Sequence, residues 1–395
     1  MINSVCLLGS AGGRNAGDAA LISGIMGAID LRLQRKLLYR IPTPFPQFVK
    51  KTYLDNQVEA INIMPWTGSL KLFGLPTLKA IKQSDLSLVF DAVLFDRSLY
   101  NPMFNFLSSL SFLLPAAKKA GRKVGLFNCG IGPITTKMGE KMLKRVCDSC
   151  DFITIREAGS AEILKRIGVS EDRYIVTADA ALNAPAVGEE ELARIFREIG
   201  LDPRQDILAI NVNKYLDTWT NHGKAKLDVK AFLDILAGAI DQLNLSVQPP
   251  ILLVSTYHGD IPITMELQKR LRVPQKVVVV DNKRYDHYQI KGILSKVSLL
   301  FAMRLHALIL ASSTGTPIAG LVYKPKVKHY FEQLGIVEAC TTFADFNSEH
   351  LSQFLLENWN NRHATREILA REIPLLQKKA MIAADCVAEL DALTT

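Results

Sequence analysis

Short apolar or β-branched runs alternate along this chain with amphipathic stretches, the rhythm of parallel βαβ units. In the first half the pattern predicts strands at Ser4–Leu8, Ser87–Leu94, Lys123–Cys129, Phe152–Ile155 and Tyr174–Thr177. Helices are expected at Ala19–Leu33, Asn105–Ala120, Gly139–Cys147 and Ser160–Ile167. A proline-containing stretch, Asn183–Gly188, reads as a linker, after which the rhythm restarts. Strands then fall at Ile207–Val212, Ile251–Thr256, Val277–Asp281, Ser298–Met303 and Ile318–Val322. Helices fall at Glu189–Ile199, Val229–Leu243, Ile290–Ser295, Leu305–Ser313 and Lys326–Leu334. The tail, Ala364–Leu393, is helical in pattern and broken at Pro374.

The length of 395 residues suits two cores rather than one. The expected fold class is therefore α/β: two doubly wound, Rossmann-like domains at 1–183 and 184–363, followed by a C-terminal helix at 364–395. This is a GT-B-like architecture, which leads us to expect the ligand in an interdomain cleft at the carboxyl ends of the strands.

Composition narrows the class further. Hydrophobic residues make up 48% and charged residues 22%, a globular balance, and no uncharged apolar stretch is long enough to span a membrane. Leu294–Ser313 contains Lys296, Arg304 and His306 and reads as a buried strand and helix. Residues 104–117 are apolar but meet Pro115, Lys118 and Lys119; a core helix is the simpler reading, a membrane contact the other. The first residues lack a secretory pattern, and six scattered cysteines, including a lone Cys147-x-x-Cys150, fit reduced thiols, so a cytoplasmic location is expected. The net charge of +8 points to an anionic partner. Its cations are scattered without interleaved aromatics, which disfavours nucleic acid and leaves a phosphorylated substrate or the inner face of a membrane.

Four segments carry candidate chemistry. Gly9-Ser-Ala-Gly-Gly-Arg-Asn-Ala-Gly-Asp18 runs from a strand into a helix, where free N–H groups meet a ligand or Asp18 serves as an N-cap. Asn128-Cys-Gly-Ile-Gly-Pro133 follows another strand; Gly130 and Gly132 admit a ligand to the backbone or merely turn the chain. Arg156 and Asp179 lie just past two successive strands, as a half-site or a simple ion pair. In Met303-Arg-Leu-His306 a cationic pair interrupts an apolar stretch, and burying it demands an anion or carboxylate partner.

In order and spacing, these segments resemble the polysaccharide pyruvyl transferase family from about Cys6 to Ile336. The residues that carry the resemblance are Asn15-Ala-Gly-Asp18, Gly130-Ile-Gly-Pro133, Ile153-Thr-Ile-Arg156 with Ser160, Asp179, Met303-Arg-Leu-His306, Gly315-Thr-Pro317 and Tyr323-Lys-Pro-Lys326. The resemblance implies a GT-B enzyme that moves the pyruvyl group of phosphoenolpyruvate onto a sugar, usually as a ketal. It implies that Arg156, Arg304, Leu305 and His306 contact phosphoenolpyruvate and that Asp18 and Asp179 face the acceptor. Asn15, Gly17, Gly130, Gly132, Ser160 and Lys326 complete the expected binding set. The chain departs from the pattern at Val89-Phe-Asp-Ala-Val-Leu-Phe-Asp96, where many members carry a glycine cluster, and this bears on the acceptor class.

Phosphoenolpyruvate packs about three negative charges into a small volume, so two converging arginines are expected to grip it. His306 is the expected general acid and Asp179 or Asp18 the base. Neither a cofactor nor a metal is expected; the partners are phosphoenolpyruvate and a sugar or lipid-linked oligosaccharide. A GT-B nucleotide-sugar glycosyltransferase and a catalytically inactive scaffold of polysaccharide assembly are the rival readings.

Overall fold

The computed structural model describes residues 1–63, 74–99, 101, 105–214, 216, 227–344 and 346–393. The chain divides into two compact units. The first comprises Met1–Gly13, Asp18–Ala184 and Leu376–Thr395, and the second Arg14–Gly17 and Pro185–Leu375.

In the first unit the chain runs β1 (Ser4–Leu8), α1 (Ala16–Leu33, of which Asp18 onward belongs here), β2 (Leu38–Thr43), α2 (Pro46–Thr52), β3 (Gln57–Asn62), α3 (Leu75–Gln83) and β4 (Leu86–Val89). It continues through α4 (Phe106–Lys119), β5 (Lys123–Cys129), α5 (Lys137–Asp148), β6 (Phe152–Ile155), α6 (Ala158–Arg166) and β7 (Ile175–Val176). The strands form one parallel sheet in the order β3-β2-β1-β4-β5-β6-β7. β1 and β4 are buried at every position, as strands covered on both faces must be. α4 buries Leu107, Leu110, Leu113 and Leu114, so the apolar segment before Pro115 is a core helix with one exposed stripe.

In the second unit follow α7 (Glu189–Ile199), β8 (Leu208–Asn211), α8 (Val229–Ser246), β9 (Ile251–Ser255), α9 (Ile261–Gln268), β10 (Val277–Asp281) and α10 (His287–Leu294). Then come β11 (Leu299–Ala302), α11 (Leu305–Ser312), β12 (Ile318–Leu321), α12 (Pro325–Leu334), β13 (Cys340–Thr341), α13 (Ser348–Asn360) and α14 (Arg362–Ala392). This sheet is also parallel, in the order β10-β9-β8-β11-β12-β13.

Three expectations are corrected. The strand expected to reach Leu94 ends at Val89, because Asp91 turns the backbone into the left-handed region (φ +67°). α14 runs unbroken through Pro374, and it is not a separate element: it belongs to the second unit as far as Leu375 and to the first from Leu376. Four elements, β2, α2, β3 and α3, occupy a stretch where the periodicity gave none. Among the described residues no helix is long and apolar enough to cross a membrane.

Candidate functional site

In an open parallel sheet, ligands meet the carboxyl ends of the strands where strand order reverses. In the first unit that point lies between β1 and β4, the two strands joined at their ends by Phe90 N–H donating to the Leu8 carbonyl (3.2 Å). Gly9 is required there: a Cβ on it would meet the Phe90 ring at 2.6 Å.

The residues just past β4, β5, β6 and β7 form one cluster. Arg156 follows β6, and only 3% of its side chain is exposed; its Nη1 donates to Asp179 Oδ2 at 2.7 Å. Asp91 Oδ1 lies 4.0 Å from the same nitrogen. Burial works against the charge of Arg156, but the carboxylates of Asp179, Glu157 and Asp91 outweigh it and hold the proton more tightly than usual. Gly130, past β5, lies beneath the guanidinium: a Cβ there would sit 3.1 Å from Nε and Nη2. Ser160 is fully buried and accepts from Ile131 N–H at 2.8 Å, so it holds the turn that contains Gly130. Gly132 has φ +104° and precedes a cis peptide to Pro133.

Asp179 uses both oxygens, one for Arg156 and the other for the Ala181 N–H (2.9 Å), so the two residues form a buried ion pair. Asp18 is the third residue of α1 and half-buried, rather than the N-cap; Asn15 does the capping, its Oδ1 accepting from Gly17 N–H at 3.0 Å.

In the second unit the reversal lies between β8 and β11, and Arg304 stands on it. Asn211, the last residue of β8, accepts from Met303 N–H through its carbonyl (3.2 Å) and from Arg304 N–H through Oδ1 (3.1 Å). The guanidinium stacks over the Tyr257 ring at 4.6 Å and donates from Nε to Asp260 Oδ2, whose carboxylate is fully buried. Burial opposes this charge too, and the bond to Asp260 more than compensates, raising the proton affinity of Arg304. Its Nη2 is buried without a hydrogen-bond partner among the described residues.

The Asn15–Gly17 segment completes this second cluster. Asn15 bridges to Tyr257, Ala16 N–H donates to the Thr256 carbonyl (2.9 Å) and His258 N–H to the Arg14 carbonyl (2.9 Å). Gly17 lies flat against the His306 ring, where a Cβ would be 2.2 Å from Cγ and Nδ1. His306 and Leu305 open α11 and are both buried. Lys326, in the first turn of α12, is half-buried and makes no hydrogen bond or ion pair among the described residues.

Sequence reasoning thus singled out Arg156, Asp179, Arg304, His306 and the glycines, but missed Asp260, Tyr257 and Asp91. Tyr257-His-Gly-Asp260 directly follows β9, and that position past a buried strand was the available signal. Cys147 and Cys150 are buried thiols; burial pushes Cys147 up to about 12 and Cys150 well above its ordinary value.

Two parallel-sheet, Rossmann-like units with polar clusters at their switch points define the class as a GT-B-fold protein. Solved structures of that fold agree. UDP-GlcNAc 2-epimerase from Neisseria meningitidis, bound to UDP-GlcNAc, shares 12% identity over 98% of this chain and 99% of its own, with a TM-score of 0.66. HepE from Anabaena, in complex with UDP and glucose, shares 13% over 99% of this chain and 100% of its own, with a TM-score of 0.59. A glycosyltransferase from Rickettsia africae shares 13% over 97% and 98%, with a TM-score of 0.57. The sequence also matches the model of one family, polysaccharide pyruvyl transferase, across residues 15–325. The chain belongs to the polysaccharide pyruvyl transferase family.

Proposed function

We propose that this protein transfers the pyruvyl group of phosphoenolpyruvate to hydroxyls of a sugar in a cell-surface polysaccharide or its precursor, forming a ketal. The observation that carries the reading is Arg304: a stacked, ion-paired guanidinium on the switch point whose Nη2 donor is buried and uncommitted among the described residues. A buried donor without a partner is costly, and a carboxylate or phosphate oxygen satisfies it. In the first unit Arg156 is a second buried guanidinium, which Asp179 orients.

The chemistry runs in four balanced steps. His306 protonates the methylene carbon, leaving an oxocarbenium-like centre at C2. A sugar hydroxyl adds there and loses its proton. Phosphate departs with the electron pair of its C–O bond, regenerating the cation, and a second hydroxyl closes the ketal with loss of its proton. No resident cofactor or metal enters this scheme. Removing the group that transfers the first proton should slow turnover by roughly 10²–10⁴-fold.

The reading implies a cytoplasmic protein that meets its acceptor at the inner membrane face. The exposed stripe of the first unit supports that: Phe112 is half-exposed beneath Arg145 (5.2 Å), beside a groove of about 550 Å³ in whose lining Lys141, Lys144, Arg145 and Arg166 outnumber Glu140 and Asp148. Such a face complements an anionic bilayer.

Calorimetry with phosphoenolpyruvate, UDP-glucose and UDP-GlcNAc tests the donor. Phosphoenolpyruvate should bind and Arg304→Gln should abolish the signal. Binding of a nucleotide sugar with no response to phosphoenolpyruvate would favour a glycosyltransferase instead.

A further inference from the structure

We infer that Tyr323 is a donor-binding residue whose phenolic O–H grips the same anionic group as Arg304 Nη2, a role that rests on the donor assignment above. Both residues belong to the second unit. Arg304 lies two residues past β11 and Tyr323 two residues past β12. These strands are parallel neighbours with Ala302 opposite Gly320, so Tyr323 emerges one residue beyond the position opposite Arg304. Val322 N–H still donates to the Thr341 carbonyl (2.8 Å), which holds the chain in line with the sheet up to Tyr323. Both side chains thus arise at the carboxyl edge of the sheet, where ligands meet such folds.

The phenol is sheltered, yet the fold makes no use of its hydroxyl. Tyr323 is 5% exposed and its O–H makes no hydrogen bond among the described residues. Buried tyrosines ordinarily find a partner, as Tyr39 does in Asp30 (2.7 Å) and Tyr330 in Ser312 (2.6 Å). Burial works against the Arg304 charge and the bond to Asp260 outweighs it; the Tyr323 phenol then adds to the hold on that proton, ahead of the stacked Tyr257. The phenol is therefore a near neighbour of the guanidinium.

Two donors, Arg304 Nη2 and the Tyr323 hydroxyl, share this place without an acceptor among the described residues. One oxyanion satisfies both. A hydrogen bond to a charged oxygen is also stronger than one to a neutral oxygen, so a phosphate or carboxylate group is the acceptor that such a pair selects.

Tyr323→Phe deletes the hydroxyl and keeps the ring. Because the fold does not use that hydroxyl, the variant should melt within about 2 °C of wild type. In calorimetry it should bind phosphoenolpyruvate about 10- to 100-fold more weakly. Inorganic phosphate and pyruvate, titrated separately, present the two anionic groups apart; the one that the tyrosine contacts should weaken by a similar factor, and the other should not change. In phosphate release the loss should fall on KM, with kcat within about threefold of wild type, as for a contact made equally in the ground and transition states. A role in packing alone would instead lower the melting temperature and leave donor affinity intact. That result, or wild-type affinity for all three probes, would overturn the Tyr323 role and leave the donor assignment standing. A wild-type protein that does not bind phosphoenolpyruvate would overturn both.

Discussion

Gly17→Ala is the smallest change that tests whether the Asn15–Gly17 segment sets the position of His306. Gly17 already has a helical backbone, so alanine is no conformational burden and gains about 1 kcal/mol in helix propensity. Its Cβ, however, would lie 2.2 Å from two atoms of the imidazole, whereas carbon contacts settle at about 3.5–4.0 Å. The ring must therefore retreat by more than about 1 Å. Overpacking of that size costs about 1–3 kcal/mol, which the propensity gain partly offsets, so the fold should survive with a small change in melting temperature. Turnover should not survive as well: a misplacement of about 1 Å at a reacting group costs on the order of 10²-fold. The assay is phosphate release from saturating phosphoenolpyruvate with hexopyranoside acceptors, run on Gly17→Ala, His306→Ala and the double variant. If the glycine acts through the histidine, the double variant is no slower than His306→Ala. Wild-type turnover in Gly17→Ala, or a further 10²-fold loss in the double variant, would refute the reasoning.

Three further outcomes are expected. Asp260→Asn removes the partner of a guanidinium that stays buried, so it should destabilise the protein by roughly 3–5 kcal/mol in urea unfolding, while an unchanged midpoint would show the pair to be dispensable. His287 is buried, and desolvation followed by the nearby Lys291 charge lowers its pKa from 6.5 to about 3. Between those values the unfolded chain binds the extra proton, so stability is fully present above about pH 6.5 and is lost as pH falls toward 3, at up to about 1.4 kcal/mol per unit. Urea unfolding at pH 7 and pH 5 should differ by about 2 kcal/mol from this group, and His287→Leu should shrink the difference; an equal difference in the variant contradicts it. Vesicles rich in anionic lipid should sediment the wild-type protein, and Phe112→Ser with Lys141→Glu and Lys144→Glu should release it, whereas equal binding by the triple variant would exclude that face.

The parallel α/β fold was legible because most strands are buried on both faces and appear as unbroken apolar runs, as at Ile251–Ser255. The stretch that held β2 and β3 was not: β2 carries Arg40 and Pro42, and β3 is a half-exposed edge strand with Glu59 and Asn62. Arg304 and His306 could be found because charge within an apolar run demands a partner. The partner could not. Asp260 becomes meaningful only once β9 and β8 are neighbours and the loop after β9 reaches the end of β11. Asp91 is likewise an ordinary residue in sequence, distinguished by a backbone angle that no composition reveals.

The most direct test is the fate of the donor carbons. With phosphoenolpyruvate labelled at every carbon and a hexopyranoside acceptor, mass spectrometry should find the whole labelled pyruvyl group on the sugar, with free phosphate formed in equal amount. Label left in phosphoenolpyruvate, together with hexose transferred from a UDP-sugar in the same mixture, would contradict the account.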